Sequence, residues 1–358
     1  MPGAGDQAEL DAALMRRALE LAARGLWSTA PNPRVGCVLA HGARIVGEGW
    51  HERAGGAHAE GVALEQAGAA ARGATAYVTL EPCNHQGRTP PCAEALARAG
   101  VARVVAAVRD PDAHAAGGGA ALSARGVRYE EGLLAAEARE LNIGFFSRHE
   151  RGRPWVRLKV AATLDGRSAL ADGRSRWITG PEARADAHRW RARACAILTG
   201  IGTVKADDPQ LTVRAVATPR QPLRVLVDSR LELPARARIL AGDRILVFAA
   251  RAGAVPPNAD LVVLPDAKGK VALPAMLAEL ARRGVNELHV EAGFRLNGSL
   301  VREGCVDELL VYFNASLLGE AAQGMFDLAP FASLEERPRL RLVDVERLGE
   351  DLRLRARF

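Results

Sequence analysis

HAE at positions 58–60 and EPCNHQGRTPPC at positions 81–92 decide how the first half of this 358-residue chain is read. His58, Cys83 and Cys92 are an imidazole and two thiols, the donor types that zinc prefers, and three protein ligands leave a fourth position open to water. Glycines and alanine at 55–57 precede a helical stretch, which puts His58 and Glu60 in its first turn. Pro90 and Pro91 precede Cys92, which opens a second helix, where the helix terminus favours a thiolate. Glu60 lies two residues past His58, so it can face the same point without ligating and can carry a proton there. Two cysteines nine apart could also be buried thiols, and His85 could be a fourth ligand of a structural zinc. HAE, EPC and PPC occurring in this order favour the open, catalytic arrangement.

The surroundings alternate between strand and helix signals. Residues 35–40 and 44–49 read as a hairpin turned at His41 and Gly42. Residues 59–71, 93–99 and 120–125 read as helices, and 74–80, 101–108 and 127–131 as strands. The N-terminus is amphipathic, with Leu10, Leu14, Ala18 and Leu21 at helical spacing. SRHERGRP at 147–154 is polar and reads as a linker, giving domains at 1–150 and 151–358. Past it, 155–162, 195–199, 223–228, 244–248 and 287–291 read as strands. Residues 181–194, 273–283 and 296–303 read as helices. The fold class is α/β in both halves.

Composition narrows the classes. About half the residues are apolar and a quarter charged, as in ordinary globular chains. The N-terminus carries no apolar run of a signal peptide, and no stretch is long enough to span a membrane, so a cytoplasmic protein is expected. The five cysteines, Cys37, Cys83, Cys92, Cys195 and Cys305, are expected as ligands or buried thiols rather than disulfides. The net charge of +6 is scattered, and aromatics make up 4%. That suits a phosphorylated small molecule better than a nucleic acid, which needs a clustered basic face.

H-x-E followed by P-C is the signature of zinc-dependent deaminases, usually completed by C-x-x-C. Here eight residues separate Cys83 from Cys92. That longer gap, filled by NHQGRTPP, and the segment PNPRVGCV at 31–38 resemble the bacterial family of bifunctional riboflavin-biosynthesis deaminase–reductases. The resemblance implies a cytidine-deaminase-like α/β/α domain followed by a dihydrofolate-reductase-like α/β domain. It also implies that Asn32, His85 and Arg88 line the deaminase pocket around the substrate. Asn32 read by itself could be a turn residue. Two places depart from the family pattern. Gly61 follows HAE, and Asp112 and Ala113 stand in DPDAHAAGGG where the family has Asn and Pro.

The second half carries KVAATLDGRSA at 159–169, SRWITG at 175–180, GIGTVKADDPQLTVR at 200–214, VDSR at 227–230 and VEAGFRLNGSL at 290–300. Each follows a strand, and strand ends of α/β sheets bind ligands. Spacing alone supports a nucleotide-binding α/β domain and no more. The resemblance implies NADPH at Ala161, Trp177, Thr203, Asp207 and Ser229, and along Gly293, Phe294, Arg295, Leu296, Asn297, Gly298 and Ser299. It implies the substrate's ribose phosphate at Ser175, Arg191, Leu211, Arg214 and Glu291. Guanidinium forks suit phosphate, which favours Arg191 and Arg214. Lys159 and Asp165 are the ionisable residues to test near the reacting sugar.

The family's chemistry would be hydrolytic loss of an amino group from a diaminopyrimidinone ribosylamino phosphate, then NADPH-dependent reduction of the ribosyl chain to ribityl. One zinc ion per chain, NADPH, and a homo-oligomer, dimer or tetramer, are expected. Two other classes are weighed: a nucleic-acid deaminase with an RNA-binding second half, and a non-catalytic protein stabilised by zinc. The first would show a clustered basic face and stacking aromatics, the second would function without Glu60.

Overall fold

The computed structural model describes residues 4–86 and 90–358, in two units, Met1–Arg151 and Gly152–Phe358. The first runs α1 (Ala4–Arg24), β1 (Gly36–His41), β2 (Arg44–Trp50), α2 (Ala59–Ala67), β3 (Thr75–Val78), α3 (Cys92–Arg98), β4 (Arg103–Ala106), α4 (Gly118–Ser123), β5 (Arg128–Glu131), α5 (Ala135–Leu141) and α6 (Ile143–Arg151). The sheet order is β2-β1-β3-β4-β5. β1 is antiparallel to both its neighbours, and β3, β4 and β5 are parallel.

Alternation along β1 divides the core between the two faces of this sheet. Val38 and Ala40 pack with Leu14, Met15, Leu21, Phe145 and Phe146. Cys37 and Leu39 pack with Ala59, Ala63, Ala93, Leu96 and Leu122. The result is an α/β/α sandwich. Two glycines on β2 bring α2 unusually close. A Cβ on Gly47 would stand 2.2 Å from the Ala63 carbonyl oxygen, and one on Gly49 would stand 2.4 Å from that of Ala59. That approach sets the start of α2 against the sheet.

Two expectations shift. The helix expected over 59–71 ends at Ala67, because Gly68 takes φ 52°, and a short 3-10 turn follows. The stretch 147–154 is not wholly a linker, since α6 runs through it to Arg151. Phe145 and Phe146 anchor that helix in the core, while its Arg and Glu residues, good helix formers, complete it. Ser147 is buried and accepts from Arg151 Nε at 3.1 Å.

The second unit runs β6 (Trp155–Thr163), β7 (Arg167–Ala169), α7 (Pro181–Arg193), β8 (Ala196–Gly200), α8 (Ile201–Asp207), β9 (Leu223–Val227), β10 (Ile245–Ala249), β11 (Ala259–Val263), α9 (Leu273–Arg282), β12 (Glu287–Val290), α10 (Phe294–Arg302), β13 (Glu308–Asn314), β14 (Gln323–Gly324), β15 (Arg341–Leu348) and β16 (Asp351–Arg357). The large sheet has the order β11-β10-β9-β8-β12-β6-β13-β16-β15. It is parallel from β11 to β13, and β16 and β15 close it as an antiparallel hairpin. β7 and β14 form a separate pair.

One face of the large sheet is apolar, with Leu158, Val160, Val225, Met276, Leu280, Val290 and Leu300 between sheet and helices. Beneath α7 the other face carries ions. Arg157 Nε donates to Glu308 at 2.6 Å and its Nη1 to Glu287 at 3.2 Å, while Arg193 reaches Glu287 at 2.6 Å. Arg355 and Arg357 reach Glu308 from β16 at 3.2 and 3.0 Å. The Trp190 ring lies 4.4 Å from the Arg157 guanidinium. Among the described residues, no helix is long and apolar enough to cross a membrane.

Candidate active site

His58 is the N-cap of α2, with extended backbone at φ −77° and ψ 158°, and Glu60 stands in the first turn. Cys92 is the first residue of α3, after Pro91 at the cap. Cys83 sits in the loop beyond β3, where its sulfur accepts the Cys92 main-chain N–H at 3.4 Å. Two helix starts thus converge on one point. His58 Nδ1 lies 3.2 Å from Cys92 Sγ and 3.5 Å from Cys83 Sγ. The three donor atoms lie within 4.8 Å of one another, and both thiols are buried. A ligand sphere with bonds of about 2.0–2.3 Å has such edges, so this one-imidazole, two-thiol set fits a zinc ion with one position open. Among the described residues no other group of three or more metal-ligating side chains closes this tightly, and His85, exposed in the loop, is not part of it.

Protonation follows from the geometry. A hydrogen bond from Cys92 holds the Cys83 thiol well below its ordinary range against burial, and the same bond pushes Cys92 up. The Cys83 hydrogen bond raises His58. Glu60 is 3% exposed, and burial, with Cys83 beside it, pushes its carboxyl up to about 7. A bound cation acts on it in the opposite direction. Cys37, on the strand behind, is pushed up by burial and by Glu60.

Asn32 donates from Nδ2 to Nε2 of His51 at 3.0 Å, and His51 Nδ1 donates to the Ala57 carbonyl at 2.9 Å. The His51 ring meets the His58 ring edge-on at 5.6 Å between centroids. Asn32 is therefore one residue removed from the metal ligands, with its Oδ1 turned away from His51. Sequence reasoning missed His51, since a lone histidine after a strand carries no spacing signal. It also used Glu81 only as part of a motif. The Glu81 carboxylate is buried and accepts the main-chain N–H of Asp110, Gly117 and Gly119 at 3.2, 3.2 and 2.9 Å. The DPDAHAAGGG loop is thus tied to the ligand loop. Arg88, expected in the pocket, lies outside the described residues.

In the second unit the implicated residues gather at the carboxyl ends of four adjacent strands, β9, β8, β12 and β6. Ala161 is near the end of β6, and Thr203 and Asp207 are on α8 directly after β8. Ser229 follows β9, where its Oγ accepts the Val271 N–H at 3.2 Å. Glu291 and Gly293 follow β12, and a Cβ on Gly293 would lie 3.6 Å from Thr203 Oγ1. The expected helix at 296–303 begins earlier, at Phe294, so Phe294, Arg295 and Leu296 form its first turn rather than a loop. Asn297 and Gly298 are buried. The Asn297 amide donates to the Met325 carbonyl at 3.3 Å, and a Cβ on Gly298 would stand 2.2 Å from the Asp327 carbonyl oxygen. Ser299 Oγ donates to the Arg295 carbonyl at 3.1 Å. Trp177 is 72% exposed, with the Arg184 guanidinium 4.7 Å from its ring, and Ser175 is in the same loop.

The anionic end of this region is more tightly engaged than the sequence suggests. Arg191 gives Nε and Nη2 to Glu291 at 2.5 and 2.9 Å, and Nη1 to the Thr212 carbonyl at 3.1 Å. Burial raises Glu291, but Arg191 outweighs it and holds the carboxylate well below its usual range. Arg214 is exposed and lies beside Arg191 and Arg238, and burial followed by these two cations lowers its pKa. Leu211 is buried with φ 52°. Lys159 lies among Glu291 and Arg191, its ammonium lowered by burial. Asp165 instead staples a loop, accepting the N–H groups of Leu318 and Gly319 at 3.1 and 2.8 Å.

A His-Cys-Cys zinc site with buried thiols and an adjacent buried glutamate, on an α/β/α sandwich, defines a zinc-dependent deaminase of the cytidine-deaminase class, here joined to a second α/β unit. Comparison with known proteins agrees. Residues 8–108 match the cytidine and deoxycytidylate deaminase zinc-binding region, and residues 154–354 match the RibD C-terminal domain. The chain is 44% identical over 354 residues to riboflavin biosynthesis protein RibD of Escherichia coli K12, covering 94% of this chain and 96% of that protein. RibD of Aquifex aeolicus is 42% identical over 96% of this chain and 97% of its own length. The structure of Acinetobacter baumannii RibD superposes with a TM-score of 0.90 at 43% identity, covering 98% of this chain and 99% of that one. A Thermotoga maritima diaminohydroxyphosphoribosylaminopyrimidine deaminase/5-amino-6-(5-phosphoribosylamino)uracil reductase superposes with a TM-score of 0.89 at 32% identity, with the same coverage. The chain belongs to the RibD family, the bifunctional deaminase–reductases of riboflavin biosynthesis. The zinc site agrees with the motif spacing, and both activities and the family's use of NADPH agree with what the family resemblance implied.

Proposed function

We propose that the two units act in turn on one pyrimidine intermediate. The first removes the 2-amino group of 2,5-diamino-6-ribosylamino-4(3H)-pyrimidinone 5′-phosphate by hydrolysis. The second reduces the ribosyl side chain with NADPH to give 5-amino-6-ribitylaminouracil 5′-phosphate. The observation that carries the first step is Glu60, a buried carboxyl in the same helical turn as the ligand His58 and beside the ligand Cys92.

His58, Cys83 and Cys92 would hold zinc, which when bound supplies Lewis acidity toward a water in its open position. Glu60 takes the proton from the attacking water and returns it to the departing amino nitrogen, so water goes in and ammonia leaves. Asn32, oriented by His51, offers Oδ1 to an N–H of the pyrimidine. His85, exposed in the loop after Cys83, contacts the substrate there, and the family resemblance assigns Arg88 to the same substrate.

In the second unit the strand ends bearing Ala161, Thr203, Asp207, Ser229 and the segment from Gly293 to Ser299, together with Trp177 from the loop before α7, would hold NADPH, which supplies the hydride. Gly293 to Leu296 meet it most directly, while Asn297 and Gly298 brace the helix from behind. Hydride adds at C1 of the ring-opened sugar and a proton adds to the attached nitrogen. Lys159, half-buried beside Glu291, is our proton donor. Ser175, Leu211, Arg214 and Glu291 hold the ribose phosphate, with Arg191 fixing Glu291 while keeping its outer N–H groups for the phosphate.

The test is an assay of the zinc-loaded chain with the diamino substrate. Ammonia should appear without NADPH, and NADPH should be oxidised only after ammonia is released. NADPH oxidation without ammonia would overturn the order. We further propose a homo-oligomer, supported by exposed Leu342, Val345 and Leu352 on the edge hairpin; a light-scattering mass of one chain would argue against it. A cytoplasmic location is supported by the five cysteines, all unpaired.

A further inference from the structure

His188 has no role in this scheme, yet it lies on the phosphate side of the second unit. It is half-buried on α7, three residues ahead of Arg191 and so on the same helix face. Its Nδ1 accepts the main-chain N–H of Arg214 at 3.1 Å, which leaves the ring proton on Nε2. The segment it grips is held by side chains at each step. The Thr212 carbonyl accepts Arg191 Nη1 at 3.1 Å. The Val213 N–H and carbonyl pair with the Gln221 amide at 2.8 and 3.1 Å, and the Arg214 N–H goes to His188. Four consecutive main-chain groups are thus fixed by three side chains, directly after Leu211 in its left-handed conformation.

The charged groups that face the imidazole are Arg191, Arg214, Lys159 and Glu291. Three are cations, and the carboxylate already has Arg191. Burial, then Arg191 and Arg214, hold His188 down at about 4, so the ring is neutral at physiological pH. A neutral N–H among these cations adds a donor for an anion without adding repulsion when the anion is absent.

We propose that His188 positions Arg214 through Nδ1 and donates Nε2–H to the substrate's phosphate, alongside Arg191 and Arg214. This rests on the phosphate site proposed above, and the two ideas separate experimentally. The measurement uses the full-length, zinc-loaded protein and follows NADPH oxidation against substrate concentration, with inorganic phosphate as a competing anion. The kcat for NADPH oxidation reports that the second unit of each variant is folded. His188→Leu should raise KM roughly tenfold, weaken inhibition by inorganic phosphate by a similar factor, and leave kcat within about twofold. His188→Gln keeps an acceptor and a donor in one amide and should restore KM to within about threefold. Unchanged KM in His188→Leu overturns the inference, as does a raised KM with phosphate inhibition unaltered. Arg214→Ala reports on the site itself. If it changes neither quantity, the phosphate site fails; if it raises both while His188→Leu raises neither, only the role of His188 fails.

Discussion

Asn32 donates from Nδ2 to the unprotonated Nε2 of His51, because the Ala57 carbonyl, which can only accept, holds the ring proton on Nδ1. Burial lowers the His51 pKa, so the ring stays neutral and can accept. An aspartate at position 32 has no N–H to give and would set a carboxylate against that lone pair. Asn32→Asp should therefore cut ammonia release by about 100-fold or more, the cost of mispairing a buried polar group plus a lost substrate contact. Reduction of the deaminated substrate should stay at the parent rate. Parent-like ammonia release would remove Asn32 from the pocket.

Glu60 separates metal binding from chemistry. Glu60→Gln preserves shape but cannot move a proton. Ammonia release should fall by about 10²–10⁴-fold while metal analysis still finds one zinc per chain. Full deamination by this variant would refute the proton-carrier role, and loss of the zinc would recast Glu60 as a ligand support.

Gly61 is exposed on α2, and a Cβ there would meet nothing within 4 Å. Its departure from the family pattern is a stability cost without a packing reason. Gly61→Ala should stabilise the first unit by up to about 1 kcal/mol. Denaturant unfolding of the zinc-loaded chain measures it, and a destabilised variant would show that position 61 needs glycine for some contact of the loaded site.

Glu308 sets the acid limit of the second unit. Burial pushes its carboxyl up, but Arg157 and Arg355 outweigh that and hold it at about 2, below its ordinary 4.5. The folded form thus binds the proton less readily than the unfolded chain, so this contribution is complete above about pH 4.5 and is lost as pH falls toward 2. Glu308→Gln leaves Arg157, Arg355 and Arg357 facing a neutral amide and should cost about 3–5 kcal/mol at neutral pH. It should also flatten the acid side of the stability profile, read by urea titrations between pH 3 and 7. A variant with parent stability and parent slope would show that the arginines find other partners.

The metal ligands were legible because their chemistry is local: a histidine before a helix, and a cysteine after two prolines. Strands such as β8 and β10 were legible as short apolar runs buried on both faces. The hairpin of β15 and β16 was not read, because charged residues are interspersed with Leu and Val along an edge strand, β15, that is half exposed, and along its mostly half-buried neighbour β16. The helix α6 was not read, because polar residues fill its last two turns, though Phe145 and Phe146 hold it in the core. His51 and Glu81 act by hydrogen bonds to residues outside their own elements, which no periodicity announces. The pairing of Arg191 with Glu291 crosses one hundred residues, and so a fork read as free for phosphate is partly occupied.

The tie between Glu81 and the loop beginning at Asp110 bears on how such a pocket can diversify. The carboxylate grips backbone amides at positions 110, 117 and 119, none of which depends on the side chains at 112 and 113. The Asp112 side chain closes the turn within that loop, accepting the His114 N–H at 3.1 Å. Change at 112 and 113 thus acts on the outer turn, while the scaffold under Cys83 is held by a separate acidic residue.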